Sequence, residues 1–294
     1  MTSAFEYVTA EPWAITHDWL AFLVEKARRQ EAIAPAKHPG RLEFDAFFLG
    51  AATTVMEGGT GRTMVQDGVA VIPVVGPIFP RANMMTENSG ATSVTGLQRD
   101  LAAALAHEKV SSILLAIDSP GGAVSGVSSF ADAVFKARTT KPVAAHVTGT
   151  GASAAYWIAS AAERVSLDRT GVVGSIGVIA AVPKQVTPDK SGNTYVEIVS
   201  SNAPLKRPDP TTVEGYTEIR TRLDAIEEQF VADVARGRDV TPDRVRSQFG
   251  KGGIVVGLDA VQRRMADSLD TLAGATERMA RVSRASSSRQ QSRR

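Results

Sequence analysis

From Val69 onward the chain alternates short, almost wholly apolar runs with segments whose apolar residues return every three to four positions. The runs are Val69–Ile78 (VAVIPVVGPI), Ser111–Asp118 (SSILLAID) and Pro142–Val147 (PVAAHV). Each has the length of a strand and no polar face, the pattern of strands buried on both sides. Between them, Leu97, Leu101 and Leu105 mark one helix, and Val127, Phe130, Ala131 and Val134 mark another over 124–137. SAAYWIASAA (153–162) reads as a helix of small residues, and RVSLD, VVGSIGVIAAV and TYVEIV as further strands. A long amphipathic helix follows over 211–238, with Ile219, Leu223, Ile226, Phe230 and Val234 inward and a capping box proposed at Thr211–Glu214. Thr241-Pro242-Asp243 opens another helix, and residues 250–267 read as loop, short strand and helix. Apolar strands alternating with helices predict an α/β domain with a largely parallel sheet.

The two ends differ in texture from this middle. Trp19, Leu20, Leu23, Val24 and Ala27 recur at helical spacing, Pro35, Pro39 and Gly40 break the pattern, and Gly58, Gly59 and Gly61 form a joint. The expected organisation is an N-terminal helical segment with linker (1–65), a main domain (66–272) and an Arg/Ser-rich tail (273–294). The tail's SRASSSRQQSRR is polar and low in complexity, and is expected to be disordered.

Composition narrows the chemistry. The 294 residues contain no cysteine, which excludes disulfides and thiolate catalysis or metal binding. Six arginines and no acid lie between Arg278 and Arg294, so the net charge of +2 becomes 2 − 6 = −4 over the remainder. That balance argues against a basic nucleic-acid groove. There is no apolar run of spanning length and no secretory signal pattern at the amino terminus, so a soluble, cytoplasmic protein without membrane insertion is expected.

A hydroxyl nucleophile needs a base in contact and donors for the developing oxyanion. Ser153 stands in TGTGASAAYW, where a strand gives way through a Gly-rich turn to a helix; the bland reading of such a serine is a helix N-cap. No histidine follows it, which excludes the α/β-hydrolase order, and His146 sits inside an apolar strand. A lysine could serve as base, and Lys184, Lys190, Lys206 and Lys251 follow Ser153; Lys206 is framed by Pro204 and Pro208. Asp118-Ser119-Pro120-Gly121-Gly122 leaves an apolar strand and could present backbone N–H groups to an anion, or simply start a helix.

The ordered set of DSPGG, ASAAYWIA, GSIGV, a strand–loop–lysine segment, a long helix ending VAxxR and a late GxxVxGxxAV resembles the S49 peptidase family, the signal peptide peptidase A type. The resemblance runs from about Val69 to Asp267. It implies a ClpP/crotonase-like α/β superfold, here with a helical N-terminal segment and a disordered basic tail. It also implies Ser153 as nucleophile, Lys206 (206 − 153 = 53 positions on) as general base, Gly121 and Gly122 as the oxyanion turn, and Ser175 as the residue orienting the lysine. Two positions depart from the family pattern: Ala154 and Ala155 replace two glycines, and APLKRP replaces GxxKD. The opening EPWAI resembles the front of phage-encoded S49 proteins. This implies a serine endopeptidase for capsid (prohead) maturation that cleaves scaffold, portal or capsid proteins. It would be homo-oligomeric, would need no cofactor or metal, and would work in the host cytoplasm or inside the prohead. A bacterial signal-peptide-peptidase-like protease, a crotonase-type thioester enzyme and an inactive structural homologue are the alternatives.

Overall fold

The computed structural model describes residues 4–29, 53–82, 91–183 and 199–291. Its apolar runs form the centre of a mostly parallel sheet, in which β4 (Val69–Val75), β7 (Ser112–Ser119) and β9 (Val143–Ala152) lie side by side. β4 and β7 run parallel from Val69↔Ser112 to Val75↔Asp118. β9 carries two parallel neighbours on its other edge, β10 (Arg164–Leu167) beside its first half and β11 (Val172–Gly174) beside Thr150–Ala152. Antiparallel strands extend the edges: β12 (Ile254–Val256) on β11, and β3 (Met64–Gln66) then β2 (Thr54–Val55) beyond β4. β13 (Ser268–Leu269) runs parallel beside β10. Because β3 pairs with β4, the expected boundary between residues 65 and 66 cuts through a strand of the main sheet.

Alternate residues of the central strands enter different layers, as the period of two requires. Ala70, Ile72, Val74, Ile113, Leu115 and Ile117 join the main core with α3 (Val94–Ala106), α4 (Val127–Ala137) and α5 (Ala154–Ser160). Val69, Val71, Leu114 and Ala116 instead meet Ala275, Met279 and Ala280 of α9 (Leu272–Gln291). Within the described residues the tail is helical rather than the expected disordered segment: helix continues to Gln291, and Ser283 Oγ lies 2.8 Å from Ser112 Oγ. The cause is a narrow stripe, Leu272, Ala275/Thr276, Met279/Ala280 and Ser283, spaced three to four residues apart within a segment whose composition is polar.

Apart from Gly215 in its first turn, α6 (Val213–Arg238) is buried only towards its end, with Phe230, Val231, Val234 and Ala235 in the core; Ile219, Leu223 and Ile226 are half-buried. Its cap is Thr212, which accepts from Gly215 N–H at 3.0 Å, while Thr211 Oγ1 bonds Asp209. The expected box at Thr211 is thus one residue early. Thr241 caps α7 (Pro242–Gln248) with Pro242 in its first turn, as the sequence predicts, and α8 (Gly257–Gln262) follows β12. The TYVEIV strand falls almost wholly outside the described residues. No helix among the described residues is long and apolar enough to cross a membrane.

A second, small sheet holds the amino-terminal segment. After α1 (Ala4–Ala10), β1 (Trp13–Ile15) pairs antiparallel with β8 (Gly121–Ala123), which pairs with β5 (Ile78–Phe79) and through it with β6 (Thr92–Ser93). α2 (His17–Arg28) then adds Leu20, Leu23 and Ala27 to a core shared with Val8, Trp13 and Phe79.

α5 is enclosed along its whole length, with every residue buried. Trp157 stacks on Phe230 at 4.3 Å between centroids, and its Nε1–H donates to Asp233 Oδ2 at 2.9 Å. Ser128 Oγ of α4 donates to the same oxygen, and Gly237 lies so near that a Cβ there would sit 2.2 Å from Ser160 O. Replacing Trp157 with alanine empties this joint and leaves Asp233 short of a donor. The expected loss in urea unfolding is about 3–5 kcal/mol, the range for large-to-small core changes.

Candidate active site

β9 ends at Ala152 and α5 begins at Ala154, so one residue, Ser153, turns the chain. The expected Gly-rich turn, GTGAS, is strand as far as Ala152 instead. Its glycines serve close approach: a Cβ on Gly149 would lie 2.9 Å from Asp118 Oδ1, and one on Gly151 would lie 2.6 Å from a Val147 methyl. The β7–β9 register shifts between Ile117 and Ser119, and Thr150 N–H donates to Asp118 Oδ1 at 2.9 Å. The change of direction is thereby concentrated at Ser153, with φ 56° and ψ −121°. Such a conformation costs a non-glycine residue about 1–3 kcal/mol and persists only where its surroundings over-determine it. Here Ser153 N–H donates to Gly174 O at 2.7 Å, and Trp157 N–H donates to Ser153 O at 2.9 Å. Ala154 and Ala155 are not among the residues of positive φ, so neither position requires glycine.

The Ser153 side chain is fully buried, makes no capping bond to α5, and its Oγ has no hydrogen-bond partner among the described residues. The N-cap reading is thus set aside. Beside it lies the Gly121–Gly122 strand. Gly121 has φ 99°, and a Cβ on it would lie 3.0 Å from both Ala152 O and Ala154 N. Gly122 is pressed on Ile78, whose carbonyl oxygen would be 2.0 Å from a Cβ. Ser119 Oγ fixes the turn by donating to Gly76 O at 2.6 Å, while Gly121 N–H donates to Ser119 Oγ at 3.2 Å. The Gly121 backbone, Ser153 and the first amide of α5, an N–H that a helix leaves unpaired, therefore converge. The N–H that follows Ser153 belongs to the same cluster, and its signal in the sequence is the helix start itself.

The other candidates are placed differently. Ser175, with φ 52°, follows Gly174 and donates its N–H to Gly253 O at 2.7 Å, one residue from Ser153's backbone partner. Lys206 is exposed in a 3-10 turn (Pro204–Lys206), and Leu205 O accepts from Arg222 Nη2 at 3.2 Å. The fold brings Gly121, Gly122 and Ser175 to the neighbourhood of Ser153, but no bond within the described residues joins Lys206 to it. Lys184 and Lys190 lie outside the described residues, and Lys251 is exposed in a loop. His146 is fully buried on β9, seven residues and so about 23 Å of strand before Ser153. Its Nδ1 lies 3.0 Å from Ser166 Oγ and its Nε2 3.4 Å from Asp168 Oδ1.

Fold and site together define the ClpP/crotonase class: a mostly parallel sheet, a strained serine at a strand–helix junction, and a glycine turn beside it. The chain belongs to peptidase family S49, whose model matches residues 136–286, half of its length. The Clp protease family model matches residues 80–173. The chain is 29% identical to the head-tail preconnector protein GP5 of Enterobacteria phage P21, over 82% of this chain and 49% of that protein. It is 31% identical to the capsid assembly protease C of Escherichia phage lambda, over 70% of this chain and 47% of that protein. Protease 4 of Haemophilus influenzae is 27% identical, over 70% and 33% respectively. The chain thus spans about half or less of the length of these relatives.

Two expectations test the assignments of buried polar groups. A capping serine would lose stability as alanine, whereas Ser153→Ala removes an unpartnered buried hydroxyl. The variant is expected to equal or exceed the original by about 1 kcal/mol in urea unfolding. His146 carries the opposite kind of signal. Burial pushes its pKa from 6.5 down to about 4, against the pull of Asp270 and with that of Arg278. The unfolded chain takes up this proton below about pH 6.5 and the folded chain only near 4, so stability falls as pH drops through that window, by about 3 kcal/mol at most. Unfolding free energies at pH 7 and 4.5 should differ less in His146→Gln by a corresponding amount.

Proposed function

We propose that the protein is a serine endopeptidase of the phage capsid (prohead) maturation type, acting through Ser153 and Lys206. The observation that carries this reading is Ser153 itself: a buried serine in a costly conformation whose hydroxyl has no hydrogen-bond partner among the described residues. Strain without a structural return marks functional positions. The mechanism is acyl transfer. Neutral Lys206 takes the Ser153 proton as Oγ attacks the scissile carbonyl, and N–H groups of the Gly121–Gly122 turn and Ala154 stabilise the oxyanion. Collapse expels the amine, which takes the proton back from lysine; water, deprotonated in turn, then cleaves the acyl–serine ester and frees the acid. Ser175 orients the lysine ammonium.

The exposed position of Lys206 supports its delivery to the Ser153 of a neighbouring copy in a homo-oligomer. Exposed apolar side chains on the Lys206 turn and at the start of α6 support such a contact: Leu205 is 39% exposed, Val213 87% and Tyr216 56%. The named functions of the phage P21 and phage lambda proteins support scaffold, portal or capsid proteins as substrates, cut in the host cytoplasm or inside the assembling shell.

Self-cleavage and cleavage of a co-expressed scaffold provide the test. Ser153→Ala and Lys206→Ala are each expected to lower the rate at least about 1,000-fold, the scale on which loss of a nucleophile or its base acts. Mixed together, the two inactive variants should regain part of the activity, since one supplies serine and the other lysine at a shared interface. Full activity in Ser153→Ala would remove the serine mechanism; full activity in Lys206→Ala would move the base to another residue.

A further inference from the structure

The amino-terminal strand β1 is not merely attached to the main domain. Its Trp13 N–H donates to Ile179 O at 2.8 Å and its Trp13 O accepts from Ile179 N–H at 2.9 Å. On its other side it runs antiparallel to β8, with Trp13↔Ala123, Ala14↔Gly122 and Ile15↔Gly121 in register. Thr16 N–H donates to Pro120 O at 3.0 Å and Val124 N–H to Pro12 O at 3.1 Å. Bonded pairs alternate along an antiparallel ladder, so Ala14 and Gly122, midway between those two, form the next bonded pair. The Ala14 carbonyl oxygen also lies only 2.2 Å from where a Cβ of Gly121 would be, a point itself 3.0 Å from Ala154 N. An extended backbone thus lies between two edges, with a carbonyl turned to the glycine turn and the first amide of α5, directly beside the buried Ser153.

That is the placement an extended peptide must take for a carbonyl to be attacked at Ser153. We infer that Pro12–Thr16 is a built-in pseudo-substrate that fills the peptide-binding slot between Gly121–Ala123 and Ile179, so that a substrate strand must displace it. The inference rests on the serine-peptidase reading for the meaning of the slot, though not for its occupancy. The strand also reports what the slot accepts. Ala14, wholly buried, shares the main core with Ala154 and Ala155, which leaves room for a small residue there. The flanking Trp13 and Ile15 point to the opposite side, into the apolar cluster with Phe79 and Leu23. The preferred peptide is accordingly extended, with a small residue opposite Gly122 between two bulky apolar ones.

The test uses the full chain in a Ser153→Ala background, so that nothing is cut, and a fluorescein-labelled peptide of residues 11–17 (EPWAITH). Ala14→Pro removes the strand's central N–H and unseats it; Trp13→Ala removes its anchor while keeping the backbone, and serves if the first variant does not fold. Fluorescence anisotropy is expected to show at least tenfold tighter peptide binding to either variant than to the parent. Equal binding to parent and folded variants overturns the inference, as does absence of binding to both. A second readout separates this from the peptidase reading. With Ser153 restored, a fluorophosphonate probe is expected to label it at least tenfold faster in the strand variants. Peptide discrimination without labelling in any form would leave the pseudo-substrate standing and remove the serine chemistry.

Discussion

The hydrogen bond from Ser153 N–H to Gly174 O holds one residue in a backbone conformation that serine ordinarily avoids. Much of the rest of the fold supports that bond. β11 can accept it only because β9 runs on past β10 and pairs again at Thr150–Ala152. α5 can start at Ala154 only because its seven buried residues are fixed by Phe230, Asp233 and the bare backbone at Gly237. The strain is spread over a packed helix and a sheet edge, neither of which can yield without exposing apolar surface.

Around that point, the site is assembled from backbone more than from side chains. Gly121, Gly122, Gly149 and Gly151 each stand where a Cβ would strike a neighbour, and Asp118 is spent on the Thr150 amide. The charged groups near the chemistry are few, and His146, the buried imidazole on the same strand, is kept neutral at its far end. Ser153 is surrounded by main-chain amides and carbonyls, the groups through which a sheet edge pairs with an extended strand.

Legibility in the sequence followed how local each cause was. The strands β4 and β7, the helices α3 and α4 and the Thr241-Pro242 helix start were legible because burial on both faces, a three-to-four spacing or a cap each leave a local mark. Helix α5 was legible from its small residues. The length of β9 was not, because its glycines signal a turn locally and answer to contacts with Asp118 and Val147 only in three dimensions. The helical tail was missed because four small or hidden contacts were outweighed by arginine and serine. The docking of EPWAI beside Gly122 could not be read at all: its partners lie more than a hundred residues away, and strand pairing has no code in composition.

The placement of α9 has a consequence for how the molecule is made. The rear face of β4 and β7 is covered by Ala275, Met279 and Ala280, and the bond between Ser112 and Ser283 spans 171 positions. During synthesis the central strands leave the ribosome long before their cover does. A nascent chain therefore carries a naked apolar sheet face until α9 follows, and closure of this layer is a long-range event. Completion of the core waits for α9, and chaperone occupancy should be highest while residues 69–119 are out and 272–283 are not.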